Sequence, residues 1–430
     1  MTRARGYIGR PVTIRRTPDD FRVDEVHTST FLASIAPERD ASRPFVAYRL
    51  EKRGIATPDA IGFVARALRV GRECVAAAGL KDRHAVTTQL ITVDGAALRG
   101  APPRELGERL GAGDPHADDG GSSWRIEGLG FVPRAAESTI IERNRFTIVV
   151  RGLDKWHADE MARRASMLVD RPGAPLQIVN YFGDQRFGSA RHGQGFVARA
   201  LIKGDFEGAL RLAIGTPARK DSGPVRTMSR ALANHWGDWT TALGKLPRMP
   251  ERGAIEVLAR GGSFMDAFTA LPRFTQEICV EAYQSHLWNA IVRELADALS
   301  DTTVQRAFEA DDLFGPLIFP RAAALTPAFR ALPIPMPSPR AEMPECLAEI
   351  ASGVLADEEI TLGELRIPGL QRPYFGGGDR PFVIEARNFE LSAPARDEFA
   401  GHSPANIALT VRFDLPRGSY ATVVLRALGQ

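Results

Sequence analysis

The chain has 430 residues, 44% hydrophobic and 25% charged, which is enough to bury a large core and to divide into two or more domains, with the balance of a soluble globular protein. Its 55 Lys and Arg against 52 Asp and Glu leave a net charge of only +3, so bulk charge is weak evidence for a polyanionic partner. No apolar run approaches the ~20 residues needed to cross a bilayer, and the basic N-terminus lacks the apolar stretch of a secretory signal; a cytoplasmic location and no membrane partner are expected.

Three widely spaced cysteines, Cys74, Cys279 and Cys346, indicate neither a disulfide frame nor a thiolate zinc site and are expected as small buried groups. There is no His-Glu-x-x-His pattern, no Walker loop and no strand-linked G-x-G-x-x-G, so neither a metal nor a cofactor is expected. Basic residues are unevenly spread. The first 22 residues hold Arg3, Arg5, Arg10, Arg15, Arg16 and Arg22 against Asp19 and Asp20, and residues 184–230 hold nine basic residues against four acidic ones. Such segregation suits phosphate contacts, and it equally suits a solvated Arg-rich surface.

In chain order, Thr17-Pro18-Asp19 predicts a turn, followed by a strand in which Phe21, Val23 and Glu25 alternate with Arg22, Asp24 and Val26. A second strand is expected over 45–51. Thr57-Pro58 then supplies an N-cap and a first-turn proline, Ile61, Val64, Ala65 and Leu68 keep helical spacing, and Gly71 ends the helix. This βαβ passage leads into a small-residue run, 75–78, and an alternating run, 86–93. Between them a turn carries Lys81, Asp82, Arg83 and His84. Flanking cations favour the ionised form of Asp82, making it a nucleophile or base rather than a proton donor. The residues alone also fit a solvated charged turn.

Residues 95–123, with Gly111-Ala112-Gly113-Asp114-Pro115, read as a loop with a mobile tip. In the strand predicted over 144–151, Asn144, Phe146, Ile148 and Val150 share one face. An amide beside an aromatic ring suits a flipped pyrimidine; ordinary sheet core with a turn residue suits it too. A helix over 159–170 is ended by Arg171-Pro172-Gly173. The segment 180–188 sets Asp184 and Arg186 among Tyr181, Phe182 and Phe187, a composition that fits RNA stacking or a pinned domain junction.

From about 189 to 378 the pattern is mainly helical, with helices predicted over 197–212 and 276–299. The second carries a core stripe of Leu287, Ile291, Leu295 and Leu299 beside Trp288 and Val292. A proline-rich connector at 332–339 is expected to be extended and on the surface. Strand alternation returns at 382–387 and 407–414, and Gly418-Ser419 is expected to cap a final helix running to 428.

The run Gly79-Leu80-Lys81-Asp82-Arg83-His84-Ala85-Val86-Thr87-Thr88-Gln89 resembles the active-site motif of the TruD family of tRNA pseudouridine synthases. The same family's other landmarks follow in order: Asn144-Arg145-Phe146, then Asn180-Tyr181-Phe182-Gly183-Asp184-Gln185-Arg186-Phe187-Gly188, then Ala282-Tyr283-Gln284-Ser285-His286-Leu287-Trp288-Asn289, and finally Leu415-Pro416-Arg417-Gly418-Ser419-Tyr420-Ala421-Thr422. Five landmarks in order from Gly79 to Thr422 are a specific signal where each alone is weak.

The resemblance implies an α+β pseudouridine synthase fold, a mixed and mainly antiparallel sheet flanked by helices, with an inserted mainly α domain. It implies a catalytic domain formed by residues 1–180 and 379–430 and an insert at 181–378. It further implies isomerisation of uridine to pseudouridine in tRNA, at position 13, without cofactor. Asp82 becomes the catalytic residue, and Asn144 and Phe146 line the uridine pocket. Arg15 stands where the family usually has lysine, which keeps the charge but changes its shape, as an RNA or active-site contact. Lys81, Arg83 and His84 position phosphates or tune Asp82, a purely local salt-bridge role being the alternative. Arg186 is an RNA contact in a mainly structural segment.

Attack of Asp82 on C1′, attack on C6 of the base, and removal of the C2′ proton all stay open. A monomer is expected, although the sequence leaves the oligomeric state open. The competing readings are a non-catalytic tRNA-binding protein or RNA chaperone, and a hydrolase, which would need a second acid paired with Asp82 that no nearby sequence supplies.

Overall fold

The structure, a computed structural model, describes residues 13–110, 121–218, 221–300, 308–312, 314–400 and 406–430, without the side chains of 189 and 191–193. Arg3, Arg5, Arg10 and the 111–120 part of the expected loop tip lie outside the described residues. The chain divides into two compact units. One takes the chain up to Gln177 with Glu385–Ala421 and Leu428–Gln430; the other takes Ile178–Ile384 and Thr422–Ala427.

The first unit is built on strands β1 (Phe21–His27), β2 (Phe45–Arg53), β3 (Val75–Ala77), β4 (Val86–Asp94), β5 (Glu105–Leu110), β6 (Ser122–Val132) and β7 (Ile141–Leu153). Strand β8 (Leu176–Val179) leads into the second unit, where β9 (Phe308–Ala310) pairs with β10 (Leu317–Phe319) and β11 (Pro333–Pro335) with β12 (Asp379–Pro381). Strand β13 (Val383–Leu391) returns, followed by β14 (Ala395–Arg396) and β15 (Ile407–Pro416). The sheet of the first unit runs β5-β6-β2-β4-β1-β7-β15-β13, with β3 beside β4 and β14 beside β15. Neighbours along this path are antiparallel except β1 and β4, which run parallel. This is the mixed, mainly antiparallel α+β architecture expected.

Strand alternation decides what the sheet presents. In β1, Phe21, Val23 and Glu25 are buried while Arg22 is exposed. Register sets Val23 opposite Phe146 and Phe146 opposite Phe413, with Glu25 opposite Asn144 and Asn144 opposite Leu415. Partners across a ladder point to the same face, so these six side chains form two adjacent rows. On β2, Tyr48 and Leu50 pack with Ile91, Trp124 and Ile126 against Ala60, Val64 and Ala65 of the helix Thr57–Leu68.

Several expected boundaries are corrected. Thr57 is the first residue of its helix rather than the N-cap, which is Ala56, because the Thr57 hydroxyl is engaged elsewhere. The helix ends at Arg69, whose left-handed φ of 56° turns the chain so that the Val70 N–H reaches the Ala65 carbonyl at 3.0 Å, so Gly71 is not needed as the stop. The helix expected over 159–170 is Lys155–Met167, started by Asp154, whose carboxylate accepts from the His157 N–H.

In the second unit the single helix expected over 197–212 is two, Val197–Ile202 and Phe206–Leu210. Gly204 at φ 76° turns the chain, and Asp205 caps the new helix through the Gly208 N–H. The helix Arg273–Ala298 buries Leu287, Trp288, Ile291 and Val292 completely. The proline-rich connector is extended but does not lie on the surface: Ile334 and Ser338 are buried because Pro333–Pro335 pairs with Asp379–Pro381. Cys279 is buried, Cys74 only half-buried, and Cys346 is exposed, against the expectation that all three would be core. The last helix is Ala421–Ala427, starting two residues beyond Ser419. None of the described helices is long and apolar enough to cross a membrane.

Candidate active site

The loop from Ala78 to Ala85 joins β3 and β4, which pair from Val75–Val93 to Ala77–Ile91. A loop carrying several charges would ordinarily be loose, but this one is anchored at successive residues by side chains from β2, β4 and the helix behind it. The Gln89 amide donates to the Gly79 carbonyl at 3.2 Å. The Lys81 N–H donates to the Thr57 hydroxyl at 2.9 Å, and that hydroxyl donates to the Gln89 side-chain carbonyl at 3.0 Å. The Lys52 ammonium donates to the Asp82 carbonyl and to the Ile55 carbonyl, both at 2.7 Å. Fixing the backbone on both sides of Asp82 fixes the origin of its side chain.

The Asp82 carboxylate is one-fifth exposed and is held at both oxygens. Oδ1 accepts from the His84 N–H at 3.1 Å, and Oδ2 lies 2.9 Å from Nη1 of Arg15. Arg15 is itself placed from below. The Asp20 carboxylate accepts from the N–H groups of Arg16 and Thr17, both at 3.0 Å, and is bound by Arg151 of β7 at 2.7 Å. The Arg15 guanidinium rests over the Phe21 ring, 4.4 Å from its centroid. Phe21 meets Phe146 edge-on with centroids 6.1 Å apart, and Phe146 tilts against Phe413 at 5.5 Å. A continuous row therefore runs from carboxylate to guanidinium to an aromatic block.

Two polar atoms, one in this row and one in the row beside it, are buried without a hydrogen-bond partner: Nε of Arg15, a donor, and Oδ1 of Asn144, an acceptor. Buried polar atoms are rarely left so; a substrate supplying a carbonyl oxygen and an N–H would satisfy both.

Lys81 turns away from the tip. Its ammonium lies 2.7 Å from Oε1 of Glu25, with the lysine side chain 9% and the glutamate 0% exposed. The other Glu25 oxygen accepts from the Leu90 N–H at 3.0 Å and sits 3.1 Å from Nε2 of His27. Burial acts to raise the Glu25 pKa, but the His27 hydrogen bond, the charge and hydrogen bond of Lys81 and the Leu90 N–H together hold it below the ordinary carboxylate value. Lys52 is fully buried, and burial pushes its pKa down to about 8, against the opposing pull of the Asp82 charge and with the added push of Lys81.

Of the residues singled out in the sequence, Arg15, Lys81, Asp82, Asn144 and Phe146 thus stand on one face of the first unit, and Arg83 and His84 are exposed at the loop tip. Arg186 belongs to the second unit. There its Nε donates to the Ser285 hydroxyl at 3.1 Å, its Nη1 pairs with Glu281 at 2.7 Å, and it lies 5.5 Å from the Phe182 ring centre. These contacts fasten the segment after Tyr181 to the helix Arg273–Ala298. Lys52, Glu25, Thr57 and Gln89 escaped the sequence reading as site residues. The signal existed for two of them: Lys52 shares strand parity with buried Tyr48 and Leu50, and Glu25 with Phe21 and Val23. A charged residue in a core-facing position needs a partner.

Comparison with known proteins agrees with this architecture over its whole extent. Residues 2–428 match the family model described as tRNA pseudouridine synthase D (TruD). A protein of Aquifex aeolicus named tRNA pseudouridine synthase D is 27% identical over 426 residues, covering 97% of this chain and 98% of that one. A Methanopyrus kandleri protein named "Probable tRNA pseudouridine synthase D" is 31% identical over 402 residues, covering 92% and 88%. The crystal structure of a Methanosarcina mazei protein named "Putative tRNA pseudouridine synthase D (TruD)" superposes with a TM-score of 0.64 at 22% identity, covering 98% of this chain and 94% of that one, which shows a shared fold. The class is that of the pseudouridine synthases, isomerases that act on uridine in RNA. Within it, the chain belongs to the tRNA pseudouridine synthase D (TruD) family.

Proposed function

We propose that this chain isomerises uridine to pseudouridine in tRNA, at position 13, in the cytoplasm and without cofactor or metal, with Asp82 as the catalytic residue. The observation that carries the reading is the Asp82 carboxylate paired with Arg15, whose guanidinium lies over the ring of Phe21, the first ring of a block that continues through Phe146 to Phe413. The reaction breaks the N1–C1′ bond, turns the base, forms a C5–C1′ bond, and moves one proton from C5 to N1. Atoms balance within the nucleotide, so the protein has only to supply a carboxylate at the sugar-base linkage, a surface that keeps the detached base, and polar atoms that hold its edge.

Asp82 supplies the first. Its two oxygens are oriented by the His84 N–H and by Arg15, so it meets the substrate in one orientation. The ring of Phe146, packed between Phe21 and Phe413, supplies the surface, and the unpaired Nε of Arg15 and Oδ1 of Asn144 hold a base edge or a sugar oxygen. Arg83 and His84, exposed beside Asp82, take flanking phosphates. Arg186 serves the second unit as a fastening residue.

The test is unmodified tRNA incubated with purified protein, with pseudouridine mapped by carbodiimide labelling, because the product is isomeric with uridine and mass alone cannot tell them apart. The wild type is expected to convert one uridine, and Asp82→Asn to bind tRNA with comparable affinity and convert none. Conversion by Asp82→Asn at the wild-type rate would remove Asp82 from the mechanism; tRNA binding by the wild type without conversion would make the protein a tRNA-binding module.

A further inference from the structure

The loop that carries Asp82 also carries Leu80, and Leu80 is 74% exposed, more than any other exposed large hydrophobic side chain among the described residues; Leu32, Trp156, Phe274 and Tyr374 range from 50% to 71%. Loop flexibility does not account for this. The residue before it has its carbonyl held by Gln89, and the residue after it has its N–H held by Thr57 and its ammonium held by Glu25. With both neighbours pinned, the backbone cannot fold over to bury the leucine. An apolar side chain is kept rigidly in water two residues from the candidate catalytic carboxylate, where withdrawal would otherwise be favourable.

The chemistry of that carboxylate supplies a use. A base stacked in an RNA helix hides the sugar-base linkage, so an enzyme acting there must extrude the nucleotide, at the cost of unstacking it. Proteins that open a base step commonly insert an apolar wedge, leucine among them, into the gap. Arg83 and His84, exposed on the same tip, lie where flanking phosphates would be met if the tip entered the helix.

We propose that Leu80 is this wedge: as tRNA docks, its side chain enters the base stack at the place the target uridine leaves and keeps that place closed while Asp82 works. The inference rests on the proposed function, and it separates from it in the test because wedge insertion is read by fluorescence as well as by product.

Two measurements decide it. In the first, single-turnover conversion of unmodified tRNA is compared for wild type, Leu80→Ala and Leu80→Met. The alanine variant is expected to lose between about tenfold and a hundredfold in rate, the scale set by burying one large apolar side chain, and the methionine variant to stay within about twofold of wild type because it keeps the bulk. In the second, 2-aminopurine replaces the nucleotide next to the target uridine. Binding of Asp82→Asn protein is expected to raise its fluorescence through unstacking, and Leu80→Ala in the same background to abolish most of the rise.

A wild-type rate in Leu80→Ala overturns the wedge. So does a lost rate with an unchanged fluorescence rise, which would place Leu80 after extrusion. So does a methionine variant as poor as the alanine one, which would mean that shape at this loop, not apolar bulk, matters. A wild-type protein that makes no pseudouridine sinks the proposed activity, while the fluorescence still decides on Leu80.

Discussion

Nη1 of Arg15 lies 2.9 Å from Oδ2 of Asp82 while the same guanidinium sits over Phe21, its carbon 4.4 Å from the ring centre. The guanidinium does two things with two parts of itself, pairing with the carboxylate through Nη1 and covering the Phe21 ring with its carbon centre. An ammonium has no face to stack and no fixed direction for its bonds.

Replacement of Arg15 is therefore expected to be graded. Arg15→Lys keeps the charge but loses the stack and the Nε donor, and kcat should fall about tenfold; Arg15→Gln removes the charge-assisted bond to Asp82 as well and should cost about a hundredfold, in line with the worth of hydrogen bonds to charged groups. Single-turnover rates with tRNA affinities measured in parallel check this. Weakened tRNA binding in both variants with kcat unchanged would make Arg15 a phosphate contact and not a partner of Asp82.

Phe146 is 8% exposed between Phe21 and Phe413, so a large truncation confounds packing with chemistry. Phe146→Ala is expected to destabilise the protein by about 3 kcal/mol through the cavity it leaves. Phe146→Leu should cost about 1 kcal/mol and stay folded, yet slow conversion about tenfold or more, because an aliphatic group cannot replace base-aromatic stacking. Thermal melts beside conversion rates separate the two effects. A leucine variant that works at the wild-type rate would reduce Phe146 to core.

What the sequence disclosed follows the range of the interactions involved. The alternation of Phe21, Val23 and Glu25, and of Asn144, Phe146 and Ile148, is a period-two signal written in neighbouring residues, and the strands stand where it puts them. The parallel seam between β1 and β4 is not local and had no such signal. Neither had the reach of Lys52 to the Asp82 carbonyl 30 residues on. The buried proline connector was missed for a similar reason, since its cover comes from residues 379–381. The break at Gly204 was legible: Gly-Asp is a stop followed by a cap, and the apolar periodicity running through it outweighed them.

Lys52 makes the site sensitive to alkali in a way that stability is not. Its pKa in the folded chain is pushed down to about 8 from an ordinary 10.5, so between those values the folded state binds fewer protons than the unfolded one. By linkage this group makes the fold more stable as pH rises through that window. The neutral amine keeps donors for the two carbonyls but loses the positive charge that acts on Asp82 beside that of Lys81. Wild-type kcat is expected to fall above about pH 8 without a matching fall in melting temperature, and Lys52→Met to have a lower kcat and no such alkaline limb. An identical limb in Lys52→Met would assign the titration to another group.

The Glu25–Lys81 pair decides how firmly the loop is tied to β1. With the glutamate fully buried and the lysine nearly so, removing one partner strands the other, and Glu25→Gln is expected to cost about 3 kcal/mol. The double variant Glu25→Gln with Lys81→Met should recover part of that loss, since neither charge is then left alone, and the cycle measures the coupling. The pH dependence has a fixed sign. The folded Glu25 pKa lies below its ordinary 4.5, so the stability it contributes is complete above that value and is lost as pH falls through the lower, folded one. The melting temperature of the wild type should therefore drop more steeply below about pH 4.5 than that of the double variant, which carries neither group. Parallel melting curves for the two would mean that the pair is not what holds the loop, and the anchoring would pass to Lys52, Thr57 and Gln89 alone.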